Sequence, residues 1–195
     1  MKMKQRTIEN FMYTMIKNGF GEPYKEVEEY FSNKDSKNKD VLDVGSGQGR
    51  NSLMLSDFGF NVTSIDLSRV GIKQMQERAR ERYLSIEGIE GDVLEYEFTK
   101  RFDYILVDMV LHTFKSKENV QFFLKKMRHI IKNNGEMCMI FPIEDEVYEY
   151  AKGIVNKTEE QWVEVSSSMI RVTHKMFGLT RKFEFAMYVI KNKDV

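Results

Sequence analysis

The stretch "VLDVGSGQGRNSLMLSDFG", Val41 to Gly59, sets three glycines at alternate positions, Gly45, Gly47 and Gly49, directly after an apolar run. Glycine loses more conformational freedom on ordering than any other residue, so three of them here need a reason. Either the backbone takes positive φ angles, or something comes closer than a Cβ allows. The flanks supply the setting. "VLDV" is short and apolar, as a buried strand is, and Arg50 to Phe58 reads as a helix closed by Gly59.

Outward from that unit, strands and helices alternate. "NVTSID" (Asn61–Asp66) predicts a second strand, and Ser68 can cap a helix through "GIKQMQERARERY", whose polar face is crowded with charge. "LSIEGIEGD" carries a third strand into Gly91 and Asp92. "FDYILVDMV" is a near-continuous apolar run, as parallel strands covered on both faces require. "SKENVQFFLKKMRHIIKNNG" predicts an amphipathic helix ending at Gly135, and "EMCMIF" a fifth strand stopped by Pro142. Glu144 to Ile154 then reads as a helix. "QWVEV", "SMIRVTHKMF" and "KFEFAMYVI" follow as strands without helices between them, and Phe183, Phe185, Met187 and Val189 suggest one buried face. Before Val41, Thr7 to Phe31 is helical and broken at "NGFGEP". Ile8, Phe11, Met12, Met15 and Ile16 recur at helical spacing, and Pro23 suits the first turn of a second helix. "SNKDSKNKD" reads as a surface linker. The expected fold is α/β, a doubly wound, mostly parallel seven-strand sheet with a C-terminal antiparallel hairpin, preceded by N-terminal helices. It forms one domain over 1–195: a helical cap (1–36), a core (40–143), and a C-terminal helix with the hairpin (144–195).

Composition narrows the function. A chain of 195 residues with 42% hydrophobic and 12% aromatic residues can bury a sizeable core. Its 30 basic and 30 acidic residues balance, which argues against a protein devoted to a nucleic-acid backbone. Cys138 is the single cysteine, so neither an internal disulfide nor a cysteine metal site is expected, and its apolar setting reads as burial. No segment reaches the ~20 apolar residues of a membrane span, and "MKMKQRTIENF" lacks an apolar signal region. The expected location is the cytoplasm.

In open α/β sheets, ligands sit beyond the carboxyl ends of the strands. Those ends carry the glycine loop, Asp66, Asp92, and Asp108 to His112. An acid about 20 residues after a glycine loop can accept hydrogen bonds from both hydroxyls of a ribose, and Asp92 could read an adenine amine. Arg50 stands where a dinucleotide fingerprint wants its third glycine, which disfavours a nicotinamide-dependent oxidoreductase. Together "VLDVGSGQG", "SIDLS", "EGDV" and "FDYILVD" resemble the S-adenosylmethionine-dependent methyltransferases with a Rossmann-like seven-strand sheet, from about Val41 to Phe141. "GQGRNSLML" also resembles the small tellurite-resistance type.

The resemblance implies S-adenosyl-L-methionine as cofactor and S-adenosyl-L-homocysteine as product. It would place Asp43, Gly45, Ser46, Gly47 and Gly49 at the methionine end, with Asp66 and Leu67 on the ribose. Asp92 and Val93 would hold the adenine, and Asp108 and Met109 would border the sulfonium. Duller readings stay open at this point. The glycines could only shape a turn, Asp66 could be a helix-end acid, Asp92 a loop acid, and Arg50 either a carboxylate ligand or a surface charge. Asn51 and Ser52 could simply close a helical turn. His112 could be a general base at the acceptor or a structural histidine; His129 and His174 are not singled out. Phe11, Tyr13, Phe20 and Tyr24 form a candidate lid, or pack on the sheet. No Asn/Asp-Pro-Pro-Tyr motif is present, and Cys138 lies in a strand, so a small-molecule acceptor leads. A protein or RNA acceptor, or a non-catalytic nucleoside-binding module, are the alternatives. Neither a metal nor a membrane is implied.

Overall fold

The structure, a computed structural model, describes residues 2–15, 21–144, 146–157, 161–176 and 179–193. Ile16 and Phe20 lie outside the described residues, and of His174 only the backbone is described. Helices α1 (Lys2–Met15) and α2 (Lys25–Ser32) precede β1 (Asp40–Val44), α3 (Arg50–Asp57), β2 (Asn61–Asp66), α4 (Arg69–Glu81) and β3 (Ile86–Glu90). Then come β4 (Phe102–Asp108), a 3₁₀ turn (Leu111–Thr113), α5 (Lys117–Ile130), β5 (Ile131–Pro142), α6 (Glu146–Lys157), β6 (Trp162–Met176) and β7 (Leu179–Asn192). The strands form one sheet in the order β3-β2-β1-β4-β5-β7-β6. The first five are parallel, and β7 runs antiparallel between β5 and β6. The strand order reverses beside β1, so the glycine loop leaves the sheet at its switch point.

Side-chain alternation divides the core into two layers. Leu42, Val44, Ile105, Val107, Met137 and Met139 meet Phe123, Leu124 and Met127 of α5 and Ala151 and Val155 of α6. Val41, Leu106, Cys138 and Ile140 face the other way, onto Val27 and Phe31 of α2 and Met54 and Leu55 of α3. Phe31 is fully buried and meets Phe60 and Tyr104 edge to face. Helix α2 is therefore part of the core.

Three local expectations change. The helix expected to run to Gly135 ends at Ile130, because Ile131 already pairs with Phe102 in the sheet. Pro23 lies ahead of α2, whose N-cap is Tyr24. The expected single buried face of the last strand becomes two. Met187 and Val189 enter the α2 layer, while Tyr188 and Ile190 enter the α5 layer. The cause is position: β7 is an interior strand, covered on both faces. Among the described residues no helix is long and apolar enough to cross a membrane.

Candidate functional site

The three glycines of the opening stretch all take left-handed backbone, with φ of 72°, 52° and 83°. Gly47 shows why. Its N–H donates to Asp66 Oδ2 at 2.8 Å, and a Cβ there would lie 2.6 Å from the Tyr13 hydroxyl. The left-handed backbone disfavours a larger residue, and a Cβ would also displace the Tyr13 side chain. Asp66 is 8% exposed, and its second oxygen, Oδ1, accepts from the Ser68 N–H at 2.7 Å. Burial pushes its carboxyl pKa up, and the two backbone donors pull against that shift. One carboxylate thus ties the glycine loop to the start of α4.

Helix α1 closes over this junction. Asn10 Oδ1 accepts from Ser68 Oγ at 2.6 Å and from the Val70 N–H at 3.3 Å. The Tyr13 carbonyl accepts from Gln74 Nε2 at 3.1 Å and Gln48 Nε2 at 3.4 Å. Side chains from the loop and α4 therefore donate to a carbonyl of the helix's last turn.

Two cavities lie beneath. The larger, about 490 Å³, is lined by Met12, Tyr13, Tyr24, Gly45 to Gln48, Arg50, Asn51, Arg78, Asp108, Met109, His112 and Thr113. A smaller one, about 130 Å³, is lined by Ile65, Asp66, Leu67, Asp92, Val93, Val110 and Phe114, among others. Tyr13, Gly45, Met109 and Thr113 border both, so the two are halves of one cleft. Its floor is the row of carboxyl-terminal ends of β1, β2 and β4.

Asp108 Oδ2 accepts from the Arg50 guanidinium and from Asn51 Nδ2 at 2.8 Å. The Arg50 guanidinium also lies 4.5 Å from the centre of the Tyr24 ring. Burial, and then the Asp108 charge, raise the Tyr24 hydroxyl's pKa against the effect of Arg50, so it stays protonated at neutral pH. Asp92 Oδ1 accepts from the Leu94 N–H at 2.9 Å and holds the turn after β3. Met109 adopts φ 57°, a strained value for a side chain of its size, where the cleft's halves meet. Ser46 Oγ, Asn51 Oδ1 and Asp108 Oδ1 are buried in the larger half with no hydrogen-bond partner among the described residues.

Thirteen of the sequence-derived positions therefore line one cleft: Tyr13, Tyr24, Gly45, Ser46, Gly47, Arg50, Asp66, Leu67, Asp92, Val93, Asp108, Met109 and His112. Two do not. Gly49 is the N-cap of α3, against the side chain of Met75. Asp43 lies under the loop, its Oδ2 accepting from Ser52 Oγ at 2.5 Å while Ser64 Oγ donates to Ser52 Oγ at 2.8 Å. Burial pushes the Asp43 pKa up to about 7 despite the Ser52 hydrogen bond, with the Asp108 charge adding to the rise. Sequence reading missed Met12, Arg78 and Thr113. Arg78 looks like one more charge on α4, yet its guanidinium reaches the Gln48 carbonyl at 3.1 Å. Cys138 is fully buried, which pushes its thiol pKa well above the usual range. His129 lies on the last turn of α5, away from the cleft.

Residues 41–135 match the family model described as a methyltransferase domain. Over 117 residues the chain is 32% identical to a ubiquinone biosynthesis O-methyltransferase of Rickettsia akari, covering 60% of this chain and 45% of that protein. Over 88 residues it is 36% identical to TehB of Haemophilus influenzae, a probable S-adenosyl-L-methionine-dependent methyltransferase, covering 45% of this chain and 30% of that one. The chain thus spans less than half the length of these curated relatives. Among solved structures, TehB of H. influenzae superposes with a TM-score of 0.70 at 22% identity, covering 95% of this chain and 67% of that one. The N-methyltransferase NodS of Bradyrhizobium japonicum, solved with S-adenosyl-L-homocysteine, superposes at 0.75 and 14% identity over 99% of each chain. At these identities the superpositions speak for the fold.

Proposed function

We propose that the chain is an S-adenosylmethionine-dependent methyltransferase, a reading supported by the match of residues 41–135 to the methyltransferase domain model, that it binds S-adenosylmethionine in this cleft, and that it methylates a small molecule. The observation that carries the reading is the continuity of the cleft. A half bearing Asp66 and Asp92 opens directly into a half bearing Asp108, Met109 and His112. The donor set fits the cofactor. Each Asp66 oxygen keeps a second lone pair for a ribose hydroxyl. Asp92 and Val93 suit an adenine edge, and the unpartnered oxygens of Asn51 and Asp108 suit an ammonium group. Arg50 and Arg78 flank the glycine loop and offer N–H donors to a carboxylate.

When bound, the sulfonium supplies a methyl group already activated for transfer. The protein's task is then alignment and exclusion of water. Tyr13, carried on α1, covers the junction between the two halves. Tyr24 and Arg50 hold Asp108 in place at the acceptor side. His112, on the turn after β4, is the base for an acceptor that must lose a proton. The cleft's size and the balanced charge of the chain favour a small acceptor.

Calorimetry with S-adenosylmethionine, S-adenosylhomocysteine and NAD tests the first step. Binding of the first two and none of NAD is expected; NAD binding without a response to S-adenosylmethionine overturns the reading. A methyl-transfer screen over thiols, amines, phenols and oxyanions then tests the acceptor class, and transfer only to protein or RNA would remove the small-molecule acceptor. With the acceptor in hand, His112→Ala should lower turnover by about 10²–10⁴-fold and leave cofactor affinity unchanged. Unaltered turnover returns His112 to a structural role.

A further inference from the structure

At the opposite end of the sheet from the methyl-transfer cleft, where β4 and β5 begin and β7 ends, lies a second, smaller cleft of about 210 Å³. Its lining includes Arg101, Arg128, His129, Asn133, Asn192 and Lys193, and no carboxylate among the described residues. Neighbouring cations at this end are neutralised. Lys34 pairs with Glu136, Lys39 with Asp103, and Lys132 with both Asp40 and Asp103. The side chains of Arg101, Arg128 and His129 have no such partner among the described residues. The end of α5 accounts for cations nearby through its dipole. It does not account for Arg101, which comes from the loop before β4, nor for two orphaned atoms on residues that line the cleft.

Those atoms are of opposite kinds. Among the described residues, Arg128 Nε is a buried donor without an acceptor, and Asn192 Oδ1 is a buried acceptor without a donor. Asn192 is 5% exposed, and its orientation is fixed because its Nδ2 donates to the Lys132 carbonyl at 3.3 Å. A buried polar group without a partner is costly, and two in one cleft call for a ligand that both accepts and donates.

We propose that this cleft binds inorganic phosphate, with anionic oxygens on Arg101 and Arg128 and the remaining P–OH donated to Asn192 Oδ1. At neutral pH inorganic phosphate always keeps at least one hydroxyl. Sulfate keeps none, and neither does the dianion of a phosphate monoester. The cleft therefore separates anions of similar size by one proton, because a site built to hydrogen-bond a hydroxyl rejects the analogue lacking it.

The test is a titration of the ¹⁵N-labelled full chain with potassium phosphate, potassium sulfate and AMP at constant ionic strength, pH 7.5. Saturable shifts are expected at the Arg128 Nε–H and at the backbone amides of 101, 129 and 193 with phosphate. Affinity for sulfate and for AMP at this cleft should be at least about tenfold weaker. The exposed Arg101→Gln should weaken phosphate binding about tenfold and leave S-adenosylmethionine affinity unchanged. Shifts that never saturate, equal affinity for sulfate or AMP, or an indifferent Arg101→Gln each overturn the proposal. None of these outcomes depends on methyl transfer.

Discussion

Asp66 holds two backbone N–H groups, Gly47 and Ser68, one on each carboxylate oxygen. A substitution there acts on the loop as well as on any ribose. Hydrogen bonds to a charged group are worth about 1.5–3 kcal/mol each. Asp66→Ala should therefore weaken S-adenosylmethionine binding on the order of a hundredfold or more and also lower the melting temperature. Asp66→Asn is milder on the ribose side, since its amide oxygen still accepts. Its nitrogen, however, meets one of the two N–H donors, so stability falls there too. Calorimetry with melting curves on both variants checks this; wild-type affinity in folded Asp66→Ala would remove Asp66 from the site. Asp66, Asp92 and Asp108 were legible in the sequence because each follows or ends a strand, and a parallel sheet brings strand ends together. Asp43 also lies near the loop but is not among the residues that line the cleft. It precedes the loop by two residues, but the pleat turns its side chain toward Ser52 in α3. Arg78 and Met12 were not legible, because one depends on the reach of a long side chain and the other on how α1 docks.

At the scale of elements, the two candidate lid tyrosines separate. Tyr13 lies on α1, which Asn10, Gln48 and Gln74 fasten over the loop, and whose outward residues Ile8, Phe11 and Met15 are exposed. Tyr24 is the N-cap of α2, packed 5.4 Å from the Phe185 ring and under the Arg50 guanidinium. Tyr13→Ala should weaken cofactor retention several-fold and change the melting temperature little. Tyr24→Ala should lower both, because losing a large packed aromatic costs up to about 3–5 kcal/mol. Equal losses of stability in the two variants would deny α1 a separate covering role. The alternation of elements was legible because hydrophobic period reports local structure directly. The α5–β5 junction was not. Ile130 and Ile131 continue the helical spacing, and Gly135 resembles a helix stop. The long-range pairing of Ile131 with Phe102 overrides that pattern. Gly135 serves the strand instead: a Cβ there would lie 2.9 Å from the Asp103 carbonyl oxygen and 2.7 Å from the Ile131 side chain.

Across the whole molecule, the two ends of the sheet titrate in opposite senses. At the amino end, burial raises the carboxyl pKa values of Asp103 and Glu136, but Lys132 and Lys39 on the one, and Lys34 and Tyr30 on the other, bring both below the usual range. Stability from such groups is present above the unfolded-state pKa of about 4 and is lost as pH falls through the depressed values. At the carboxyl end, burial above all raises Asp43 to about 7 and moves Asp66 upward as well. There the folded chain keeps protons that the unfolded chain releases near pH 4. Stability therefore declines as pH rises from about 4 toward 7, by at most about 1.4 kcal/mol per pH unit for each group, and levels off above. Taken together, these four carboxyl groups contribute most to stability near pH 4. Asp43→Asn removes one of the two sources of the neutral-side decline, so its stability should hold further toward pH 7 while the acid limb stays as in the wild type. Asp103→Asn should do the reverse, being less stable at neutral pH and losing less on acidification. Urea unfolding at half-unit steps from pH 3 to 8 reads both effects. A decline between pH 4 and 7 that persists undiminished in Asp43→Asn would show that the buried acid beneath the glycine loop is charged throughout.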